Sequence, residues 1–396
     1  MENKKPEYLY HYTNMASFKS IYDSGTLRLH EHKHLNDYNE IRLFFKLIRR
    51  AVEELSEGDV LFKQYYSGKR FYPEISKQQG LDTVDYFEQM IISNDCFNVF
   101  ILSLSELPDE QVLWNNFAKD YGLNFELSFD FLESKVNSRL ADASEWVLPQ
   151  YFLQKVHYID TLSDAALTEF LDKWIIVRNY AKVSDFDMQN EHVHLGEKGN
   201  LPGYRTGMDA LKAFKCTPDC NCAKCDDLVT KAILYDGDEH RNAISTLKTL
   251  INDVLFVLTR STFESYEAFK DNFEARFLNR SSDEQNQLAL FKIYTLLSYM
   301  GTIKDKFYRG EAEWRIIASY VQEDSAIKYE YYGEQLLTAF VNLAWDADEY
   351  ITQRVMLSGI YNYMHIDKFI QQEKNLTNYI KDTEISVSIS RAFLRK

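Results

Sequence analysis

Four short segments carry the residues of this chain whose types and spacing could do chemistry. Leu9-Tyr10-His11-Tyr12-Thr13 sets an imidazole in an aromatic run. Leu35-Asn36-Asp37, with Glu40 close behind, adds an amide and two carboxylates. Leu102-Ser103-Leu104-Ser105-Glu106, followed by Asp109 and Trp114, ends an apolar run on two hydroxyls. Phe307 precedes Glu311-Ala312-Glu313-Trp314-Arg315, where two carboxylates stand two residues apart. If that last segment is a strand, Glu311 and Glu313 point to one face. A fixed carboxylate there would stabilise developing positive charge, and its neighbour would orient a nucleophile or act as general base. Each segment alone also has a plain structural reading. A histidine in an aromatic strand is commonly a core or surface side chain, Ser-x-Ser is a common strand end, and Asn36-Asp37 is a helix cap. Glu-x-Glu-Trp-Arg suits a solvated strand face with a cross-strand Arg pair. Asp109, Trp114 and Trp314 read as capping and core residues.

A second constellation is Cys216-x3-Cys220-x-Cys222-x2-Cys225. Four thiols in so short a stretch suit a tetrahedral zinc site, and Pro218 and Asp219 favour the tight turn it needs. The spacing is not that of paired Cys-x2-Cys knuckles, so two other readings stay open. One is a loop of reduced thiols; the other draws a ligand from His192 or His194. Four cysteine ligands leave no open position, so the site is expected to be structural and to pin a long insertion. His30, His32 and His34 would share a face on a strand and could bind a metal there, though a solvated edge strand is the simpler reading. Cys96 reads as a small buried apolar residue.

In order, spacing and flanking strands, the four segments resemble a large bacterial family catalogued as domain of unknown function 2971, over about residues 8–160 and 300–395. The helical stretch from about Thr161 to Arg280 has no counterpart there. That family is in turn similar, more distantly, to ADP-ribosyltransferases. These share a His or Arg on a first strand, a Ser-x-Ser or Tyr segment on a second, and a Glu or Glu-x-Glu opening a later one. His11, Ser103 with Ser105, and Glu311-x-Glu313 match these in turn. The resemblance implies NAD as substrate. Cleaving its nicotinamide–ribose bond passes through an oxocarbenium-like state, as glycoside cleavage does. It implies Glu313 as the carboxylate that stabilises this state, Glu311 as acceptor-orienting residue or base, and His11 as ligand of a ribose hydroxyl. Tyr12 would hold the nicotinamide amide through its backbone, with Thr13 in the same NAD-binding segment, and Tyr12 or a nearby aromatic would stack on the ring. Ser103 and Ser105 would support Glu313 or contact the ribose. Glu313→Gln is then expected to remove catalysis while sparing the fold, and His11→Ala to weaken NAD binding.

The elements that must position these residues follow from periodicity. Tyr8–Tyr12 reads as a strand. Asn14 caps a helix with Met15, Phe18, Ile21 and Tyr22 at helical spacing, and Gly25 stops it. Thr26–His30 alternates as a short strand. Asn36 or Asp37 caps a helix with Ile41, Phe44, Phe45, Ile48 and Val52 on its apolar face. Phe97–Ser105 is a buried strand, Asp109 begins a short helix through Trp114 and Phe117, and Gly122 breaks it ahead of a strand over Leu123–Phe129. Tyr151–Ile159 is one more strand. From Thr161 to Met300 the pattern is mostly helical, with a polar interruption over Lys182–Asp227. Strands return at Ala312–Val321, Ile327–Tyr332 and Ile385–Phe393; Leu337–Leu343 is ambiguous.

Bulk properties bound the rest. A chain of 396 residues has room for two or three domains and a core without staples. With 27 Tyr and 26 Phe but few Gly and Pro, it favours a packed, helix-rich body over long linkers. A net charge of −15, with no long Lys/Arg run, argues against a global nucleic-acid surface. No apolar signal core, no membrane-length apolar stretch and the clustered cysteines point to a reducing, cytoplasmic setting.

The expected fold is α+β: two small, mostly antiparallel sheets of ADP-ribosyltransferase-like type around a cleft. Met1–Asp160 and Asn286–Lys396 would form the two halves, and Thr161–Gln285 a mainly helical insertion with the Cys cluster. The function implied is transfer of ADP-ribose from NAD to a macromolecular acceptor, protein or structured RNA rather than bulk DNA, or NAD hydrolysis. Such a protein would suit a toxin or an anti-phage effector, with no membrane partner. Two alternatives are an inactive module that senses NAD or a related nucleotide, and a zinc-stapled interaction protein. A Glu313 buried in an ion pair with Arg315 or another cation would favour the sensor.

Overall fold

A computed structural model describes residues 6–34, 40–53, 77–93, 97–118, 122–141, 150–162, 300–321, 325–332, 336–345, 354–358, 366–380 and 385–391, with 166, 297, 352 and 383 singly. Leu35-Asn36-Asp37, Cys96 and, apart from 161, 162 and 166, the proposed insertion Thr161–Gln285 lie outside the described residues.

The N-terminal elements form as their local chemistry directs. Strand β1 (Tyr8–Asn14) ends on Asn14, whose side chain accepts the Ser17 N–H at 2.8 Å and caps helix α1 (Met15–Ser24). Gly25 closes α1 at φ 58°, where glycine carries no Cβ penalty, and its N–H returns to the Ile21 carbonyl. Strand β2 (Thr26–Glu31) alternates, burying Leu27 and Leu29. The chain then turns into a 3-10 helix over His32–His34, so the three histidines do not share a strand face. Helices α2 (Glu40–Glu53) and α3 (Lys77–Ser93) pack together through Phe45 and Phe87.

Strand β3 (Phe97–Ser105) leads to α4 (Gln111–Leu113), which continues into a π-helical turn over Trp114–Ala118. A side chain at Gly122 would put its Cβ 2.0 Å from the Ala118 carbonyl, so only glycine fits the entry to β4 (Gly122–Ser128). Helix α5 (Phe129–Ala141) follows. The single strand expected over Tyr151–Ile159 is two, β5 (Gln150–Lys155) and β6 (His157–Ile159). They part at Val156, because its N–H goes to the Glu313 carbonyl while the next N–H, of His157, goes to Thr302.

The C-terminal part contributes β7 (Ile303–Asp305), β8 (Glu313–Val321), β9 (Lys328–Tyr332), β10 (Leu336–Ala344), β11 (Arg354–Leu357), helix α6 (Ile366–Tyr379) and β12 (Ser386–Ile389). The ambiguous Leu337–Leu343 is thus strand. Among the described residues the strands form one ten-stranded sheet and a parallel pair, β6 with β7. The large sheet runs β12-β11-β4-β1-β3-β2-β10-β9, with β8 and β5 branching from β3. Its pairs are antiparallel except β11 with β12. The architecture is mixed α+β. The two small sheets expected are one sheet here, because β3 bonds to strands from both ends of the chain.

One face of this sheet buries the main core. Leu9, Leu29, Leu102, Leu104, Trp314 and Ile316 meet Phe18 of α1, Leu132 of α5 and Leu376 of α6 there. On the reverse face, Gly301 lies against Ile317 and Ile101. No described helix is long and apolar enough to cross a membrane.

Candidate active site at a fork in the sheet

Strand β8 fills one edge of β3 along its whole length, from Phe97↔Val321 to Ser105↔Glu313. The other edge is shared. β1 meets it at Tyr10↔Ser105, while β2 meets it at His30↔Ile101 and Glu31↔Phe100. Between these points β1 and β2 part, and Ser103 has no strand partner on that edge among the described residues. His11 supplies one: its Nδ1 donates to the Ser103 carbonyl at 3.2 Å. A carbonyl only accepts, so Nδ1 carries the proton and Nε2 is left as acceptor. The ring stands edge-on to Phe125 with centroids 5.5 Å apart. Burial lowers the His11 pKa to about 4, against the Ser103 carbonyl and with a smaller push from His30, so the ring is neutral at pH 7.

Strand alternation sorts the other residues by face. Cross-strand partners Ser103–Arg315 and Ser105–Glu313 lie on the face away from the main core. His11, opposite Phe125 on β4, comes from the core face. Ser103 joins the two sides. Its carbonyl accepts the His11 Nδ1–H, and its hydroxyl helps to hold the Glu313 carboxyl below its ordinary pKa.

Glu313 is 4% exposed. Arg315, two residues along the same strand, grips it with Nε on Oε1 at 2.7 Å and Nη2 on Oε2 at 3.1 Å. The Lys304 ammonium lies 2.9 Å from Glu313 Oε2 and 2.7 Å from Glu311 Oε2. Arg315 Nη1 also donates to the Gly301 carbonyl, and Lys304 stands 4.8 Å from the Tyr308 ring centre. Glu311, Glu313, Lys304 and Arg315 thus form a buried cluster of opposite charges. Burial alone pushes the Glu313 carboxyl up. Arg315, then Lys304, and the hydrogen bonds from Arg315 and Ser103 outweigh it and hold the group well below the usual carboxylate range. Tyr158 accepts the Glu313 backbone N–H at 2.8 Å, and burial holds its phenol above the usual range.

Several sequence expectations need correction here. Glu311 is not on a strand; it ends the 3-10 helix Lys306–Glu311. Ala312 follows in the left-handed region at φ 43°, ψ 51°, and this turn, not strand alternation, brings both carboxylates to Lys304. The solvated-face reading of Glu-x-Glu-Trp-Arg gives way to burial, and the Arg partner is intrastrand. Ser105 donates to the Glu311 carbonyl at 2.7 Å and accepts the Leu107 N–H at 3.0 Å, so it braces the turn. The Tyr12 ring points away from His11. Its hydroxyl donates to the Leu107 carbonyl at 2.8 Å and its edge packs on Trp114 at 5.0 Å, so it is a core ring rather than a stacking platform. Thr13 is buried and paired with Leu123.

Asp109 accepts from Trp114 Nε1 at 2.8 Å, the Ser390 hydroxyl and the Arg391 N–H, the structural part expected of it. Trp314 donates to Glu106 Oε1 at 2.7 Å, which also receives Lys155. Lys304 and Tyr158 escaped the sequence reading, since neither sits in a motif. The only signal was a lysine opening a short apolar-flanked segment ahead of Phe307. Cys216, Cys220, Cys222 and Cys225 lie outside the described residues, and among those described no group of three or more His, Cys, Asp or Glu is placed to hold a metal. No family model, curated protein or solved structure matches the chain.

Proposed function

We propose that the fork at β3 is an NAD site of ADP-ribosyltransferase type, in a protein that cleaves NAD and passes ADP-ribose to a macromolecular acceptor. One observation carries the reading: Ser103, where β1 and β2 leave β3, accepts the His11 N–H on its carbonyl and lies across the strands from Arg315, which grips Glu313. Residues far apart in sequence, and matched to one motif set, are thereby coupled. The neutral His11, with Nε2 as acceptor, suits a ribose hydroxyl. Glu313, ionised at neutral pH, suits the positive charge that builds on the ribose as nicotinamide leaves. Glu311 serves as acceptor-orienting group, and Ser103 positions Glu313. The acidic chain favours a protein or structured RNA acceptor, and the family resemblance a toxin or defence role.

A second reading is a nucleotide sensor without turnover. The saturation of Glu313 by Arg315 and Lys304 favours it, since a carboxylate so engaged contributes less to a developing charge.

Nicotinamide release from NAD, measured for wild type and Glu313→Gln with cell lysate as acceptor source, separates these readings. Release by wild type that disappears in the folded variant supports the enzyme. NAD binding without release by either supports the sensor. No binding at all removes both and leaves an interaction protein stapled by zinc at its Cys cluster.

A further inference from the structure

We infer that Lys304 holds a position on Glu313 Oε2 that a ligand hydroxyl takes, and that it withdraws onto Glu311 as that hydroxyl arrives. This rests on the NAD reading above and assigns that site its gate. A carboxylate offers about four lone-pair positions. On Glu313, Arg315 Nε takes one on Oε1, and Arg315 Nη2 and Lys304 Nζ take both on Oε2, so a ribose hydroxyl reaches Oε2 only by displacing one of these donors.

These donors are not equally free to go. Arg315 is fixed by its own strand, by two bonds to Glu313 and by the Gly301 carbonyl at 2.7 Å. Lys304 already bonds a second carboxylate, and the bond to Glu311 is the shorter, 2.7 Å against 2.9 Å. Leaving Glu313 therefore costs it one bond while its charge stays paired. The Tyr308 ring supplies a further face for the withdrawn ammonium. The left-handed turn at Ala312 keeps Glu311 within reach of it. The ligand group selected is a neutral hydroxyl donor, as on a ribose, because Glu311 retains the cation and Arg315 still balances Glu313.

Isothermal titration with NAD tests the gate in a charge-balanced double variant, Lys304→Met with Glu311→Gln. It removes one cation and one anion together and leaves the Glu313–Arg315 pair intact. The expected result is NAD bound about tenfold or more tightly than by wild type, the scale of one charge-assisted bond no longer displaced. If the double variant does not fold, Lys304→Arg replaces it. The fork of arginine keeps both carboxylates bonded at once, and NAD is expected to bind about tenfold more weakly. Wild type that binds NAD, with equal or weaker affinity in the folded double variant, or with unchanged affinity in Lys304→Arg, overturns the gate alone. No binding by any of these proteins overturns the NAD reading and the gate with it.

Discussion

Glu313 holds its charge in a nearly sealed place, which changes what its substitution measures. Glu313→Gln leaves Arg315 beside a neutral amide while Lys304 stays on Glu311, and removing one partner of a buried pair costs about 3–5 kcal/mol. Urea unfolding is expected to show this loss, contrary to the sequence expectation that the fold is spared, so activity must be referred to folded protein. Glu313 and His11 also shape the response to acid. The Glu313 pKa is lowered from 4.5, so its stabilisation is present above that pH and is lost as pH falls through the lowered value. His11 is lowered from 6.5 to about 4, so the unfolded chain takes up the proton first. Stability from this group is complete above pH 6.5 and falls as pH drops towards 4. Unfolding midpoints measured across this range should slope in wild type and flatten in His11→Asn; an equal slope in both would show that another group titrates there.

At the scale of elements, the turn between the 3-10 helix and β8 is the strained part. A left-handed Ala312 costs about 1–2 kcal/mol. It is held by the Glu106 N–H on its carbonyl at 3.0 Å and by Ser105 on the Glu311 carbonyl. Ala312→Gly relieves the strain and is expected to leave stability unchanged or raise it by up to about 1 kcal/mol, since glycine gives back part of the gain as chain entropy. The same change loosens the separation of Glu311 and Glu313, so nicotinamide release should fall while the melting temperature does not. A fall in melting temperature would mean that the alanine methyl contributes packing. A second element-scale feature is the break at Val156, where one chain leaves β8 and joins β7. Apolar patterning ran through it, because Phe152, Leu153, Val156 and Ile159 are buried across the break and the change lies in hydrogen-bond partners.

At the scale of the molecule, strands from both ends of the chain share one sheet among the described residues, and the Cys216–Cys225 cluster lies outside those residues. The protein is expected to carry about one zinc ion per chain by atomic emission. Chelation should leave the main thermal transition in place while protease sites open between Thr161 and Gln285. Loss of that transition on chelation would place the metal in the core.

Much of the architecture was determined locally. Asn14 and Gly25 bounded α1 because a side-chain cap and a left-handed stop act over a few residues. The runs at Phe97–Ser105 and Ala312–Val321 declared β3 and β8 through burial, which composition records. The candidate residues His11, Ser103 and Glu313 could be singled out by type and order. What tertiary structure alone decided is how they meet. No local rule says that β1 and β2 leave the same edge of β3, that His11 and Glu313 approach Ser103 from opposite faces, or that Lys304 stands between two carboxylates. Those facts arise once strands distant in sequence, such as β3 and β8, pair and bury the turn that carries Lys304, Glu311 and Glu313, because burial removes water and leaves neighbouring opposite charges to solvate one another.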